Sequence, residues 1–202
     1  MGKVSVTNHV SLDGVMQAPA GVDEDTRGGF ANGGWAMKDN DEVMGRVMGE
    51  GMSSGGALLF GRRTYQQFFG FWPHQHDNPV TEVLDRTHKY VASTTLSEPL
   101  PWVNSTLLPG DAADGVAELR STPDLNLTVL GSGELIRSLA ARGLIDEYVL
   151  MIHPVILGSG RRIFSEDAPF TDLRLVDSVT TSTGVIIATY EPTSRSAGTT
   201  TA

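Results

Sequence analysis

Short apolar runs alternate along this chain with stretches whose apolar residues recur at helical spacing. The opening segment KVSVTNHVSL is largely alternating and β-branched, which predicts a first strand ending near Asp13 and Gly14. Further strands are predicted for ALLF (57–60), KYVAS (89–93), NLTVLG (126–131) and DEYVLMIHPVIL (146–157). A closing hairpin is predicted over 173–191, with its turn at Thr183 and Gly184.

Segments whose apolar residues recur at helical spacing lie between these runs. Apolar positions predict a helix over 39–52, with Asp39 or Asn40 available as its N-cap. A second helix is predicted to begin at Arg62, and others to cover 111–120 and 134–142. Strands that alternate with helices favour a three-layer α/β/α fold around a mostly parallel central sheet, to which the C-terminal hairpin adds antiparallel strands at one edge.

Two segments interrupt this alternation. Residues 17–35 are rich in Gly, Asp and Ala and predict a long irregular loop, and loops of that length inside a compact domain are usually functional or disordered. Residues 70–85 predict mostly loop followed by a helical turn. Because no linker divides the chain, we expect one domain over 1–191 and a disordered polar tail over 192–202.

Composition narrows the range of partners. The chain has 202 residues and a net charge of −9, which argues against nucleic acid or an anionic membrane as a partner. Any bound anion must therefore be held by a local cluster of basic side chains. The absence of cysteine excludes a thiol nucleophile, a disulfide framework and a cysteine-based zinc site. Because no apolar run has membrane length and no signal-peptide pattern is present, we expect a cytoplasmic protein.

Three predicted strand ends carry residues that suit an anionic ligand. They are LLFGRRT (58–64), YVASTT (90–95) and TVLGSGEL (128–135). Arginine offers a planar donor fork for a phosphate monoester, and hydroxyl groups add donors. Glycine before a helix lets a phosphate approach the free backbone N–H groups of the first turn. In an acidic chain, the three ends together predict a dinucleotide that carries an additional phosphate.

The glycine motifs allow two other interpretations. GSGELI begins like the dinucleotide fingerprint G-x-G-x-x-G, but Ile136 occupies the third glycine position and the motif lies late in the chain, so a Rossmann fingerprint is rejected. The second GSG, at 158–160, joins two strand-like runs and predicts a turn or bulge. Arg161 and Arg162, which follow it, could still reach a phosphate on a substrate or a neighbouring subunit.

Several histidines and tryptophans are interpreted as structural. His74 and His76 lie in a polar loop without a further ligand at fixed spacing, which favours a solvated loop over a metal site. His153 lies in an apolar strand and is interpreted as a core or subunit contact. Trp35 and Trp72 could stack on a flat heterocycle, but core anchoring is the favoured role for each.

The motifs VSLDGVM, LLFGRRTYQQF, YVAST and LTVLGSGELIRSL, in this order, are similar to those of a known superfamily. Over residues 3–191 the chain resembles the dihydrofolate-reductase-like superfamily. Within it, the chain is most similar to the reductase domain of the bacterial riboflavin-biosynthesis deaminase/reductase and to its stand-alone relatives. The resemblance implies the dihydrofolate-reductase-like fold, NADPH as cofactor, a small-molecule substrate and a homodimer.

The resemblance also implies roles at the three strand ends. Arg62 would bind the adenosine 2′-phosphate beside Ser93 and Thr94, while Arg63 and Thr64 would lie near the pyrophosphate or adenine. The remaining cofactor-binding residues are Gly61 and the run Leu130, Gly131, Ser132, Gly133, Glu134 and Leu135, which would follow the pyrophosphate and the nicotinamide ribose. In dihydrofolate reductases the bond that matches Gly131–Ser132 is cis, so a cis peptide bond is expected here.

Substrate handling is assigned to the end of the first strand. The S-x-D-G motif of riboflavin-type reductases matches Ser11, Asp13 and Gly14, which makes Asp13, with Ser11, the candidate catalytic pair. A carboxylate at this position can accept a hydrogen bond from a ring N–H, and it can deliver a proton if burial raises its pKa. In the alternative, Asp-Gly is a turn pair, and Asp13 bonds only to nearby backbone.

The family pattern leaves three functions open. Without cysteine the chain lacks the zinc site of the deaminase half. Asp39, Asp41 and Glu42 lie roughly where dihydrofolate reductases place their substrate carboxylate, but the surrounding residues do not match. The leading expectation is an NADPH-dependent reductase that transfers hydride to a small polar heterocyclic or carbonyl-type substrate. The alternatives are a true dihydrofolate reductase and a catalytically silent NADPH-binding sensor. The 148–157 strand is expected at the dimer interface or in the core.

Overall fold

The computed structural model describes residues 1–53, 56–166 and 168–193, and for 50–53 the backbone alone. The strands are β1 (Val4–Ser11), β2 (Ala57–Gly61), β3 (Lys89–Ala92), β4 (Ser105–Leu108), β5 (Leu127–Leu130), β6 (Glu147–His153), β7 (Leu173–Thr180) and β8 (Ile186–Pro192). The α-helices are α1 (Glu42–Ser53), α2 (Arg62–Phe71), α3 (Pro79–Arg86), α4 (Ala112–Arg120) and α5 (Gly133–Ala141).

The described strands form one eight-stranded sheet in the order β4-β3-β2-β5-β1-β6-β8-β7. The six strands from β4 to β6 are parallel to their neighbours. β8 runs antiparallel to both β6 and β7. This confirms the predicted α/β fold with a mostly parallel sheet and a C-terminal antiparallel hairpin at one edge.

Helices bury both faces of the central strands, which explains their nearly continuous apolar sequences. Successive β2 side chains point to opposite faces. Leu59 therefore packs in the cluster that contains α4 and α5, while Leu58 and Phe60 pack in the cluster that contains α2 and α3. On the second face, Met44 of α1 packs against Met151 of β6. The sheet is thus a rigid support for the loops at its strand ends.

The first helix begins later than the sequence predicts. Helix α1 starts at Glu42, and its cap is Asp41, whose Oδ1 accepts the N–H of Met44 at 2.9 Å. The predicted caps, Asp39 and Asn40, are wrong because the backbone over 37–39 forms a separate 3-10 turn. That turn buries Asp39, which is 8% exposed.

Two predicted strands have different limits in the structure. β6 ends at His153 instead of continuing to 157, because Pro154 has no N–H to donate to a ladder. β8 extends through Pro192, and the N–H of Thr193 donates to Asp172 O at 2.9 Å. These two residues therefore belong to the sheet edge, and the rest of the predicted tail, 194–202, lies outside the described residues.

The segment over 70–85 has more helix than its sequence suggests. Helix α2 continues to Phe71, a 3-10 turn covers Trp72–His74, and Asn78 caps α3 by accepting the N–H of Val80 at 2.9 Å. Within the described parts of the chain, no helix is both long and apolar enough to cross a membrane.

Candidate functional site

The ends of three parallel strands open into one large cleft, where ligands of such sheets usually bind. Gly61, Ala92 and Leu130, which end β2, β3 and β5, line it, and the long loop from Met16 to Arg27 forms another wall. Its volume is about 1290 Å³. Because single small-molecule sites typically measure about 300–1,000 Å³, the cleft has room for an extended ligand and a second, smaller one.

Every residue assigned to cofactor binding lines this cleft. They are Gly61, Arg62, Arg63, Thr64, Ser93, Thr94, Leu130, Gly131, Ser132, Gly133, Glu134 and Leu135. The structure therefore brings together three segments that are up to 74 residues apart in the sequence (61 and 135) because the ends of adjacent parallel strands meet at one sheet edge.

Ser132 joins two of these segments. Its Oγ accepts the N–H of Gly61 at 2.8 Å and donates to Thr64 Oγ1 at 2.9 Å. The hydroxyl therefore holds the start of α2 against the start of α5. In the described parts of the chain, no side chain caps either helix, so the N–H groups of both first turns are available to an anion in the cleft.

The chain enters α5 through two residues in the left-handed region. Gly131 has φ 59° and Ser132 has φ 66°. The peptide bond between them is trans. Among the described residues, the cis peptide bond is Glu98–Pro99. The expected cis bond is therefore wrong. Two successive left-handed residues turn the chain without the roughly 3–4 kcal/mol that a non-proline cis bond costs.

The glycines on either side of Ser132 are closely surrounded. A Cβ on Gly131 would lie 3.1 Å from Thr64 Cγ2, and a Cβ on Gly133 would lie 3.1 Å from Met16 Sδ. A larger side chain at either position would collide with the cleft wall or occupy the space in front of the helix N-terminus. The two glycines thus keep the backbone accessible to a ligand.

Arginines concentrate in the cleft although the chain is acidic. In the lining, arginines (six) outnumber carboxylates (five), whereas in the whole chain acidic residues outnumber basic ones and the net charge is −9. Arg27 pairs with Asp25, and both Arg137 and Arg161 pair with Glu134. Among the described residues, no carboxylate pairs with the two arginines that start α2, at positions 62 and 63, so both guanidinium groups remain available to an anion.

Ser93 has a local role and retains a free donor. Its Oγ accepts the N–H groups of Thr95 at 3.1 Å and Leu96 at 3.0 Å, which closes a turn after β3. The hydroxyl hydrogen is left for a weaker 3.4 Å contact to Thr95 Oγ1 or for a ligand. The neighbouring Thr94 is exposed at the same edge of the cleft.

The second GSG motif forms a turn, as predicted. A Cβ on Gly160 would lie 2.7 Å from Val15 Cγ1, so only glycine fits there. The residues after the turn pair with the segment that follows β1, since Met16 N donates to Arg161 O and Ile163 N donates to Gly14 O, each at 2.9 Å. This pairing brings Arg161 and the following arginine to the cleft lining.

Ser11 and Asp13, the candidate catalytic residues, lie outside the cleft lining. Asp13 Oδ1 accepts from Ser11 Oγ at 2.7 Å and from Leu157 N at 3.1 Å, while Oδ2 accepts from Gly158 N at 2.8 Å. The hydrogen bond from Ser11 is the main cause that lowers the pKa of Asp13 to about 2, and the two backbone donors add to it. The carboxylate is therefore ionised at neutral pH and ties the 154–160 loop to the end of β1.

We expect Asp13→Asn to lower the melting temperature by about 2–4 °C at pH 7, because an amide accepts these hydrogen bonds less strongly than a carboxylate. Since the folded pKa lies below the ordinary value of 3.8, this group stabilises the fold above about pH 4 and loses that effect as the pH falls towards 2. Acid unfolding followed by circular dichroism should show this loss of stability in the wild type and not in the variant. The exposed Asp124→Asn is the control, and an identical acid profile for wild type and Asp13→Asn would contradict the assignment.

A chain of two histidines and an aspartate leads from the core to the cleft. His9 lines the cleft, and its Nδ1 lies 2.9 Å from His153 Nε2. His153 is fully buried, and its Nδ1 lies 2.9 Å from Asp39 Oδ2. Burial, together with the nearby His153, lowers the pKa of His9 to about 4. The sequence reveals only an unusual polar pair within β1 and a histidine near the end of β6, so this connection was missed.

Gln17 organises the long loop that forms one cleft wall. Its Nε2 donates to Asp25 O and Arg27 O, both at 3.0 Å, and its Oε1 accepts the N–H of Arg161 at 2.9 Å. Trp35 is buried and donates through Nε1 to Gln17 O at 2.8 Å. The loop is therefore ordered around a buried amide, and Trp35 is an anchor of the core, as favoured from the sequence.

One buried polar atom in the cleft lining lacks a partner. The side chain of Asn8 is part of the lining, its residue is 6% exposed, and its Nδ2 has no hydrogen-bond partner among the described residues. A buried amide donor without a partner is costly, so this N–H group is available to a water molecule or a ligand in the cleft. By contrast, no group of three or more described His, Cys, Asp or Glu side chains could hold a metal ion.

Comparison with known proteins points to one family. A family model described as the RibD C-terminal domain matches residues 2–187. The uncharacterized protein YyaP of Bacillus subtilis is 30% identical over 141 residues, which cover 66% of this chain and 72% of that protein.

Solved structures share the fold at low sequence identity. A putative riboflavin biosynthesis protein from Shewanella sp. PV-4 superposes with a TM-score of 0.68 at 22% identity, covering 95% of this chain and 99% of that one. A pyrimidine reductase-like protein from Corynebacterium diphtheriae gives 0.63 at 12% identity, covering 95% and 92%. RibD of Acinetobacter baumannii gives 0.60 at 15% identity, covering 96% of this chain and 58% of that chain. The family model covers nearly the whole described sheet, and this chain therefore belongs to the reductase-like RibD C-terminal domain family.

Proposed function

We propose that this protein is an NADPH-dependent reductase of a small polar heterocyclic or carbonyl-type substrate. The observation that carries the proposal is the meeting of two helix N-termini, α2 and α5, with the guanidinium groups of Arg62 and Arg63 in the cleft lining. No described side chain caps either helix, and no described carboxylate pairs with either arginine. Backbone N–H groups at helix starts suit a pyrophosphate, and an arginine fork suits a phosphate monoester. NADP differs from NAD by such a monoester.

The residues present fit this cofactor. The glycines at 131 and 133 leave the start of α5 open, which a pyrophosphate requires for close approach. The unpartnered Nδ2 of Asn8 offers a donor to an amide or ribose oxygen deeper in the cleft. When bound, NADPH supplies the hydride, while the protein positions both molecules and excludes water.

The rest of the cleft is available to a substrate. Its lining also includes Met37, Asn40 and Met48, a mixture of amide and thioether side chains that suits a flat polar ring. Arg161 and Arg162 at the rim can meet a phosphate or another anionic substituent. The fold neighbour from Corynebacterium diphtheriae is described as pyrimidine reductase-like, which makes pyrimidines the first substrates to test.

The test is NADPH oxidation at 340 nm with a panel of aminopyrimidines, pterins and quinoid compounds, alongside calorimetric titration of NADPH. We expect NADPH binding and turnover of at least one pyrimidine. Turnover confined to dihydrofolate would favour a dihydrofolate reductase. Tight NADPH binding without turnover of any compound would favour a silent sensor, and the absence of NADPH binding would overturn both enzyme assignments.

We also propose a homodimer. Of the two roles open to the 148–157 strand, the buried side chains of β6 favour the core. Tyr148, Leu150 and Met151 of β6 are each at most 6% exposed, because they pack in the apolar clusters on the two faces of the sheet. The open edge strand β7 is exposed along nearly its whole length and carries Leu175 and Val176, which are 53% and 46% exposed. An apolar edge strand suits pairing with the same strand of a second copy.

Light scattering at micromolar concentration should therefore give a mass near twice 21.6 kDa. Leu175→Lys should shift the protein towards the monomer, because a charge on an edge strand opposes pairing. A mass of one chain for the wild type would contradict the dimer.

A further inference from the structure

The histidine chain that ends at the cleft suggests how the reaction could obtain a proton. Reduction of a C=N or C=O group adds a hydride to carbon and a proton to the heteroatom. Asp13 does not line the described cleft, and its three hydrogen bonds and low pKa keep its carboxylate ionised, so it is not suited to supply this proton. His9, in contrast, lines the cleft and is connected through His153 to the buried Asp39.

Hydrogen-bond direction along the chain follows from its carboxylate end. An ionised Asp39 can only accept, so His153 must donate through Nδ1–H. When His153 is neutral, its Nε2 is then an acceptor, and His9 must donate to it through Nδ1–H. In that state His9 presents a bare Nε2 as an acceptor.

One added proton reverses the second hydrogen bond. The positive charge is most stable on His153, because that ring lies 2.9 Å from the carboxylate of Asp39. His153 then donates from both nitrogens, its Nε2–H pointing to His9 Nδ1. His9 stays neutral, but its proton now sits on Nε2, where it can be donated.

We propose that Asp39, His153 and His9 form a proton relay, which holds a proton on His153 and presents it to the substrate through Nε2–H of His9. The inference rests on the proposed reductase function. In the transfer, the Nε2–H bond of His9 breaks as the substrate heteroatom gains the proton. The Nε2–H bond of His153 breaks as that proton bonds to His9 Nδ1, so His153 returns to neutral and Asp39 keeps its charge.

Aromatic and apolar side chains lie on the same face of the sheet as this relay. Trp35 meets the ring of His153 edge-on at a centroid distance of 5.2 Å. Met44 of α1, Met151 of β6 and Ile187 of β8 form the apolar cluster on this face of the sheet. Among the described residues, Asp39 is the charged side chain that hydrogen-bonds to this pair of imidazoles. The backbone carbonyl of Asp39 accepts from Thr183 Oγ1 at 2.7 Å. The carboxylate is therefore fixed in place at the inner end.

The first test needs no substrate. Long-range ¹H–¹⁵N spectra of the five histidines, recorded from pH 8 to pH 5, should show His153 gaining the proton while His9 changes from the Nδ1–H to the Nε2–H tautomer. Asp39→Asn should shift the protonation of His153 to lower pH and abolish the change in His9. His74→Gln, an exposed control, should leave both signals unchanged. Protonation of His9 before His153, or rapid tautomer averaging at His9, would overturn the relay.

The second test uses turnover. We expect His9→Gln to lower turnover by about 10²-fold or more, as general acids contribute about 10²–10⁴-fold, with unchanged NADPH affinity. Asp39→Asn keeps the shape of the buried side chain and should lower turnover at least tenfold. The acid limb of its pH–turnover profile should shift to lower pH, as the NMR titration of His153 does. Unchanged turnover in either variant would overturn the relay. A wild-type protein that reduces no compound would count against the reductase itself, while the NMR titration would still decide whether the chain holds and passes a proton.

Discussion

Replacing Arg62 with alanine should weaken NADPH binding by about ten- to a hundredfold and leave NADH binding nearly unchanged. Arg62 lies at the start of α2 and lines the cleft, and no described carboxylate competes for its guanidinium group. A hydrogen-bonded contact between charged groups contributes about 1.5–3 kcal/mol, and each 1.4 kcal/mol is a tenfold change in affinity. NADH lacks the 2′-phosphate and therefore makes no such contact with Arg62, so its affinity should not change.

The neighbouring arginine supplies an internal comparison. Arg63 is assigned to the pyrophosphate or adenine, so Arg63→Ala should weaken NADPH and NADH by the same factor. Arg86→Ala, on the exposed end of α3 and outside the cleft lining, should change neither. Fluorescence titration with both cofactors measures all three variants. Equal loss of both cofactors in Arg62→Ala would move the 2′-phosphate site away from this residue.

Replacing Gly131 with alanine should lower NADPH affinity at least tenfold. A Cβ at this position would lie 3.1 Å from Thr64 Cγ2 and 3.2 Å from its Oγ1. Thr64 in turn accepts the hydrogen bond of Ser132, so displacing it disturbs the contact that holds α2 against α5. Both helix starts assigned to phosphate binding would move.

Gly143 is a matched control for the backbone cost of that change. It has φ 62°, against 59° at Gly131, and a Cβ there would meet nothing within 4 Å. Both alanine variants therefore lose about 1–2 kcal/mol of stability from the left-handed conformation. Only Gly131→Ala should also lose cofactor affinity. Calorimetric titration with thermal melts separates the two effects, and wild-type NADPH affinity in Gly131→Ala would remove this glycine from the cofactor site.

The sequence alone determined the class of fold and the edge of the sheet that carries the cofactor-binding residues. β-branched runs that alternate with helical spacing leave few arrangements other than a mostly parallel sheet with helices on both faces. In such a sheet the ends of parallel strands meet at one edge, so Arg62, Ser93 and Ser132 are predicted to lie close together without knowledge of any distance. These are local patterns combined with one general rule of topology.

The first and last residues of helices and strands were harder to predict, because neighbouring residues are often equally suited to begin or end an element. Asp39, Asn40 and Asp41 can each cap a helix. Tertiary contacts decided between them, since Asp39 is held inward by His153 and Asp41 also accepts from Ser182 at 2.7 Å. In the same way, the pattern of β6 continues past His153, but the missing N–H of Pro154 ends the ladder.

Which polar residues belong to the cleft depends on contacts between segments that are distant in the sequence. Asp13 fits a motif and lies at a strand end, yet the carboxylate is engaged by the backbone of the 157–158 turn, 144 residues away in the sequence. His9 and His153 are also 144 residues apart, and Asp39 lies 114 residues from His153. Their hydrogen bonds exist because β1 and β6 are neighbours in the sheet and the 37–39 turn packs on the same face. Patterns along the chain report which face a residue occupies, whereas a hydrogen-bonded chain depends on angstrom-scale distances between strands, which are fixed by packing.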